Sequence, residues 1–443
     1  MRIKKSAIFL LMISTAMSLL SGCSSNSTNT SVDANSSSKR TEANAETSKE
    51  TTTLKWAVWD ISSTTYYEPL ITAYEEKNPN VKIEMIDLGS QDYMTALATQ
   101  LSGSDTNLDV VLVKDIPGYS NLVAKNVLEP VDTADLDLSA YGGITDQILI
   151  NDKLYALPFR SDFWVVFYNK DIFDAAGVAY PSNDMTFEEY DALARKVTKT
   201  DLGSEVYGAH YHTWRSAVQL FGILDGKNTI IDGNYDFLKP YYEMIMNEQN
   251  DEVCQDYATL KTSSLHYSGA FAQGNVAMMN MGSWFIPTLI EKIATGEYTD
   301  VSNWGIVKYP HAEGVEPGST LATITSLAVT SASKNKEVAT DFMNFACGTE
   351  GAEIIAQTGT FPAIKTDAVV GEIASIEGFP ADENSKEALK TANTYLEMPV
   401  CAQSAEIEVV LNEGHDFIMT GTKTIDEGIA YMNEEVGKIL NKK

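Results

Sequence analysis

Tyr155–Lys199, YALPFRSDFWVVFYNKDIFDAAGVAYPSNDMTFEEYDALARKVTK, is the stretch that decides the fold. It holds three pieces in tandem: a short polar crossing at Arg160, Ser161 and Asp162, a buried strand from Phe163 to Tyr168, and a capped helix from Thr186. Thr186 and Glu189 stand at capping-box spacing, and Tyr190, Leu193, Ala194 and Val197 recur at helical intervals. Polar residues on a crossing between two lobes face whatever sits between those lobes.

Upstream, strands and helices alternate. Leu54 opens a strand, LKWAVWD, and Glu68 to Lys77 follow as a helix whose Leu70, Ala73 and Tyr74 share a face until Asn78 and Pro79 stop it. VKIEMI alternates as a second strand, with Val81, Ile83 and Met85 on one side. A second helix carries Met94, Leu97 and Leu101 and ends near Gly103, and Leu108 to Val113 is a wholly apolar strand. This alternation predicts a mainly parallel, layered α/β sheet. Downstream the chain reads as helix-rich to about Asn250. Gly269–Trp284, GAFAQGNVAMMNMGSW, then brings a helix end, a glycine turn and a buried strand, and Trp304 to Pro310 is another strand. His311 to Ser319 is a loop by composition. Leu327 to Val329 lead into a helix with Ser333 as its cap and Val338, Phe342 and Phe345 on one face. The remainder reads as helices separated by loops near Phe361, Gly378 and Gly421, with no internal repeat.

A chain of 443 residues exceeds the size at which one core stops growing, so two lobes are expected. The first residues read as a processing signal. Arg2, Lys4 and Lys5 precede a short apolar run from Ala7 to Leu20, and Leu20-Ser21-Gly22-Cys23 ends in cysteine. That tetrapeptide resembles the lipobox of bacterial lipoproteins, which implies a lipidated Cys23 at the start of the mature chain and a protein anchored to the membrane without spanning it. Removing residues 1–22 takes away three cations and no anion, moving the net charge from −29 to −32. Such a balance disfavours nucleic acid, whose phosphates need a basic footprint. Residues 24–53 are rich in Ser, Thr and Asn and read as a disordered tether. Cys254, Cys347 and Cys401 form no metal or redox spacing and read as small apolar residues, with any disulfide among them left open.

The order of these signals resembles one family from about Leu54 to Lys443: the extracellular solute-binding proteins of ABC importers, in the carbohydrate-binding branch similar to maltodextrin-binding protein. The motifs that carry the resemblance are YALP followed by FYNKDIFDAAGV, then FAQGNVAMMNMGSW, then SLAVTSASKNKEVATDFMNFACGTEGAE. The resemblance implies a two-lobed, periplasmic-binding-protein-like α/β fold that closes over a ligand in the cleft. It implies an N-terminal lobe of residues 54–160 plus 325–361 and a C-terminal lobe of residues 161–324 plus 362–443, with crossings at Arg160–Asp162 and near Gly318–Thr325. It further implies a monomeric receptor that passes a carbohydrate to permease subunits, without cofactor or metal.

A sugar offers flat C–H faces and a rim of hydroxyls, so its site needs aromatic plates and charged or amide groups. Trp59 and Asp60 end the first strand, where the carboxyl ends of strands border the crevice. Trp59 reads alternatively as core, and Trp56 more so. Asp115 follows the strand ending at Val113 and reads as a ligand carboxylate or as a helix cap. By the resemblance, Asp162 contacts sugar, Arg160 pairs with Asp162 or meets an acidic ligand, Trp284 is a stacking platform, and His212 and Trp214 lie in an aromatic-rich cleft segment. One departure stands out. Where maltodextrin binders place an aromatic pair near the C-terminus, SAEIEVVL offers Ile407 and Glu408, which argues against a long α-glucan and leaves a non-sugar solute open.

Other classes fit less well. Asp60, Asp115 and Asp162 could supply the two carboxylates of a glycoside hydrolase, but no nucleophile elbow, zinc motif or phosphate loop accompanies them. His210 and His212 are only a pair, and the calcium-loop-like run from Asp105 fails at Val110 and Ile116. A surface adhesin on the same scaffold is the third class.

Overall fold

The computed structural model describes residues 51–89, 92–103, 107–198 and 205–441. Cys23, the signal segment, most of the tether and Asp105 lie outside these residues.

Among the described residues nine strands form one sheet: β1 (Thr52–Val58), β2 (Val81–Asp87), β3 (Val110–Val113), β4 (Leu157–Asn169), β5 (Tyr207–His210), β6 (Val276–Gly282), β7 (Trp304–Lys308), β8 (Thr320–Val329) and β9 (Thr394–Leu396). The path runs β2-β1-β3-β8-β4-β6-β5, with β7 on β4 and β9 on β8. The first three strands pair in parallel and alternate with helices α1 (Tyr67–Lys77), α2 (Tyr93–Leu101) and α3 (Ile116–Ala124), as the alternation predicts. The sheet as a whole is more mixed than that expectation. β4 runs antiparallel to β8, β6 and β7, and β8 antiparallel to β3. The reason lies in β4 and β8, two long strands that run beside each other in opposite senses, from Leu157 opposite Leu327 to Phe163 opposite Ala322.

The polar triplet Arg160-Ser161-Asp162 is therefore the middle of a 13-residue strand and not a break before one. At about 3.3 Å per residue such a strand spans roughly 43 Å. Its first half pairs with β8 and its second with β6 and β7, and only Arg160 along it is not fully buried. A strand covered on both faces reads as a continuous apolar run, as FWVVFY does here. A third segment joins this centre, since Ser161 N–H donates to the Phe361 carbonyl at 3.3 Å and Ala363 N–H to the Phe159 carbonyl at 2.9 Å.

The capping box at Thr186 is made: Glu189 N–H donates to Thr186 Oγ1 at 3.2 Å, and Thr186 N–H to Glu189 Oε2 at 2.9 Å, opening the helix Phe187–Thr198. Ser333 is not the cap read from sequence. The helix Lys336–Cys347 starts after Asn335, while the Ser333 hydroxyl donates to Asp109, a buried carboxylate that also takes the Lys55 amide at 3.0 Å. A carboxylate inside the protein recruits donors, and the hydroxyl goes to the larger need. β5 and β9 escape the sequence reading because four and three residues are too short to show a period. Cys254 and Cys347 are buried free thiols and Cys401 is a partly buried one. Among the described residues no helix is long and apolar enough to cross a membrane.

Candidate functional site

The eight residues singled out from sequence fall into one connected network around β4. Asp162 sits in the strand interior with 1% exposure. Its Oδ2 lies 3.1 Å from Arg160 Nη2, and its Oδ1 accepts from Ser283 Oγ at 2.9 Å. Arg160 stacks its guanidinium 5.2 Å from the Tyr66 ring centre and donates through Nη1 to the Tyr66 hydroxyl at 2.9 Å. The ion pair weighed as an alternative for Arg160 is thus present.

Ser283 holds Asp162, and the next residue is Trp284. This indole is half-buried, 5.5 Å edge-on from Trp164 and 6.4 Å from Trp214. Gly282 makes room for it, since a Cβ there would fall 1.9 Å from the indole Cζ3. Trp214 is 38% exposed and meets His212 at 4.5 Å and Tyr267 at 5.6 Å. His212 is 6% exposed, and its Nδ1 is buried without a hydrogen-bond partner among the described residues. Burial, with His210, His266 and Lys261 nearby, pushes its pKa down to about 3, so the ring is neutral at pH 7. The Tyr267 hydroxyl lies near the Trp284 indole, whose N–H is its one donor.

Asp60 ends the β1 side in a left-handed conformation at φ 51°, which is uncommon for an aspartate and often marks a functional turn. Its carboxylate makes no hydrogen bond among the described residues, yet its charge acts on Lys114, His266 and Tyr267. Trp59, in contrast, is buried against Tyr93 at 4.8 Å, and the Lys114 ammonium lies 5.5 Å from its ring centre. That face of the indole is already covered, so Trp59 packs as the core alternative requires. Trp56 is wholly buried between Tyr67 and Phe342.

Asp115 caps α3, its Oδ1 accepting the Gly118 N–H at 2.7 Å. It also faces a cluster that sequence reading missed. Arg215, 2% exposed, is gripped by Glu408 through two parallel bonds, Nε to Oε1 at 2.8 Å and Nη2 to Oε2. Glu397 stands beside them and accepts from Thr323 Oγ1 at 2.7 Å. Burial raises the pKa of both Asp115 and Glu397, against the lowering pull of Arg215. From sequence Glu408 reads only as a missing aromatic. Tyr66, Lys114, Arg215, His266, Tyr267, Lys365 and Glu397 carried no local motif, although HYSG, just before FAQGNV, offered a signal for Tyr267.

The family model for bacterial extracellular solute-binding proteins matches residues 60–353. The chain belongs to that family. This binding protein is 52% identical to a Rhizobium etli sugar transporter crystallised in an open conformation, with a TM-score of 0.76 over 87% of this chain and 99% of that one. An ABC substrate-binding protein from Listeria monocytogenes, in complex with cycloalternan, shares 21% identity and a TM-score of 0.72, covering 89% of this chain and all of that one. A Brucella abortus putative binding protein is 23% identical over 298 residues, 63% of this chain and 68% of its own. The fold is accordingly the two-lobed one of solute-binding proteins, and the family is extracellular. Its members are described as solute-binding proteins.

Proposed function

We propose that this protein is the extracytoplasmic receptor of an ABC importer, that it captures a carbohydrate in the cleft along β4, and that it delivers it to permease subunits. The observation that carries this reading is the meeting of aromatic rings and unspent polar groups. Trp214, Tyr267 and Trp284 form a wall of partly exposed rings, with the Asp60 carboxylate near it and His212 Nδ1 beside it, both without a hydrogen-bond partner among the described residues. Rings suit the C–H faces of a sugar, and a carboxylate suits its paired hydroxyls. The 52% identical Rhizobium etli relative, described as a sugar transporter, points the same way. Trp284, Trp214, His212, Asp60, Asp162 and Arg160 are assigned to ligand contact or its immediate support, Asp115 to the rim, and Trp59 to packing.

No covalent step is involved. The lobes divide at residues 54–160 plus 325–361 against 161–324 plus 362–443, and ligand favours closure by its differential affinity for the closed form. Cys23 carries the lipid anchor, and the receptor acts as a monomer. A thermal-shift screen against mono- and oligosaccharides, uronic acids and polyols, followed by calorimetry, tests the ligand class. A shift with a carbohydrate supports it; shifts with non-carbohydrate solutes alone would overturn the sugar and leave the receptor. Metabolic labelling with a palmitate analogue, lost in Cys23→Ala, tests the anchor.

A further inference from the structure

The carboxylates around the floor of the site each find donors within the chain. Asp162 takes Arg160 and Ser283, Glu408 takes Arg215 and Asn412, Glu397 takes Thr323, and Asp115 takes the Gly118 amide. The cationic side is less complete. Arg160 spends Nη1 on Tyr66 and Nη2 on Asp162, but its Nε–H is buried with no acceptor among the described residues. Lys365 follows the segment Phe361–Ala363 that lies against Phe159–Ser161 of β4. Its ammonium stands 4.9 Å from the centre of the Phe163 ring and makes no hydrogen bond or ion pair among the described residues. The one charge acting on it is Asp162, already committed to Arg160.

A buried N–H without an acceptor costs free energy, and a half-buried ammonium whose one neighbouring carboxylate is already committed is open to a second counter-ion. Both deficits adjoin the same aspartate, and one incoming anion answers both. We propose that the solute is an acidic carbohydrate, a uronic acid or an oligosaccharide bearing one, whose carboxylate is received at the Arg160–Lys365 end of the site while its ring meets the aromatic wall. This rests on the carbohydrate reading above. A carboxylate fits better than a phosphate, because one N–H and one ammonium match a single charge and a dianion would ask for more donors. Burial pushes the Lys365 pKa down to about 8, against the raising pull of Asp162, and a further anion beside the ammonium would raise it again.

Calorimetry on the purified full chain tests this with D-galacturonate and D-glucuronate, the neutral sugars D-galactose and D-glucose, and the corresponding 6-phosphates. The expected result is a uronate bound about tenfold or more tighter than its neutral counterpart, as suits a charge-assisted bond. Lys365→Met is expected to erase that ratio in a protein whose melting curve still shows it folded, and Lys365→Arg to keep it. Neutral sugars or sugar phosphates binding as tightly as uronates, or a ratio unchanged in Lys365→Met, overturns the acidic ligand and leaves the receptor of sugars standing. Binding of non-carbohydrate solutes alone overturns both readings.

Discussion

Trp284→Ala tests the aromatic wall most directly. The indole is half-buried, so part of its surface is free to meet a ligand, and a Trp side chain has about 150–250 Å² to bury. If roughly half of that is covered on binding, at about 25 cal/mol per Å², its loss costs about 2–3 kcal/mol before relaxation of neighbouring rings. With relaxation the expected loss is about 1–3 kcal/mol, or a Kd raised about 5- to 150-fold. Calorimetry with the solute found by the thermal-shift screen gives the number. The substitution also removes packing on Trp164 and Trp214, so circular dichroism and a melting curve must show a folded protein. Gly282→Ala supplies an independent perturbation that keeps the indole. Its new Cβ would stand 1.9 Å from Cζ3, so the ring must shift, and affinity should fall with no aromatic group removed. A Kd within twofold of the parent in a folded Trp284→Ala protein would refute the platform and return Trp284 to the scaffold.

Three further outcomes follow from buried groups. Glu248 is fully buried beside Tyr190, Tyr211 and Cys254, and burial holds its carboxyl pKa well above the ordinary value. The folded state therefore keeps a proton that the unfolded chain releases as pH rises past about 4.5, so stability is lost from there toward the raised folded pKa. Glu248→Gln should flatten this dependence and raise Tm at pH 7.5 by on the order of a few degrees, with the gain shrinking toward pH 4.5; an unchanged pH profile would contradict it. Glu408→Ala strands the buried Arg215 guanidinium and should cost about 2–4 kcal/mol of folding stability, below the full cost of a sealed pair because Glu408 is partly exposed. Arg215→Met combined with Glu408→Leu should recover much of that in urea unfolding, and no recovery would show that the pair acts through something other than charge burial. Under native conditions a thiol reagent should label Cys401 ahead of Cys254 and Cys347, whose thiol pKa values burial pushes up; equal rates would contradict their placement.

Much of the fold was legible because its signals are local. The capping box at Thr186 and Glu189 needs residues three apart, and the strand in AMMNM needs only its own apolar run. What escaped depends on partners distant in sequence. Arg160-Ser161-Asp162 reads as a polar break because a charged residue in a strand interior is costly unless paired, and the partners that make it tolerable, Tyr66 and Ser283, are 94 and 121 residues away. The antiparallel pairing of β4 with β8 is hidden for the same reason, since periodicity reports burial and not direction.

The site shows the same division, with one instructive asymmetry. The aromatic wall could be found in part because GSW and HTW are recognisable words, whereas Tyr267, beside them in space, has only the weak signal of HYSG. The charged corner could be found only as an absence. Glu408 stands where a plate was expected, and sequence alone could say no more than that a plate is missing. In the fold it is the partner of Arg215, 193 residues upstream, and it fixes a guanidinium beside Asp115 and Glu397. A ligand reaching that corner meets a closed ion pair with both guanidinium edges spent and not a stacking surface. On the proposed reading, extension of a glycan in that direction would have to break charge-assisted bonds before making any contact of its own, so the proposal expects a solute that fits between the Arg160–Lys365 end and the Trp214–Tyr267–Trp284 wall.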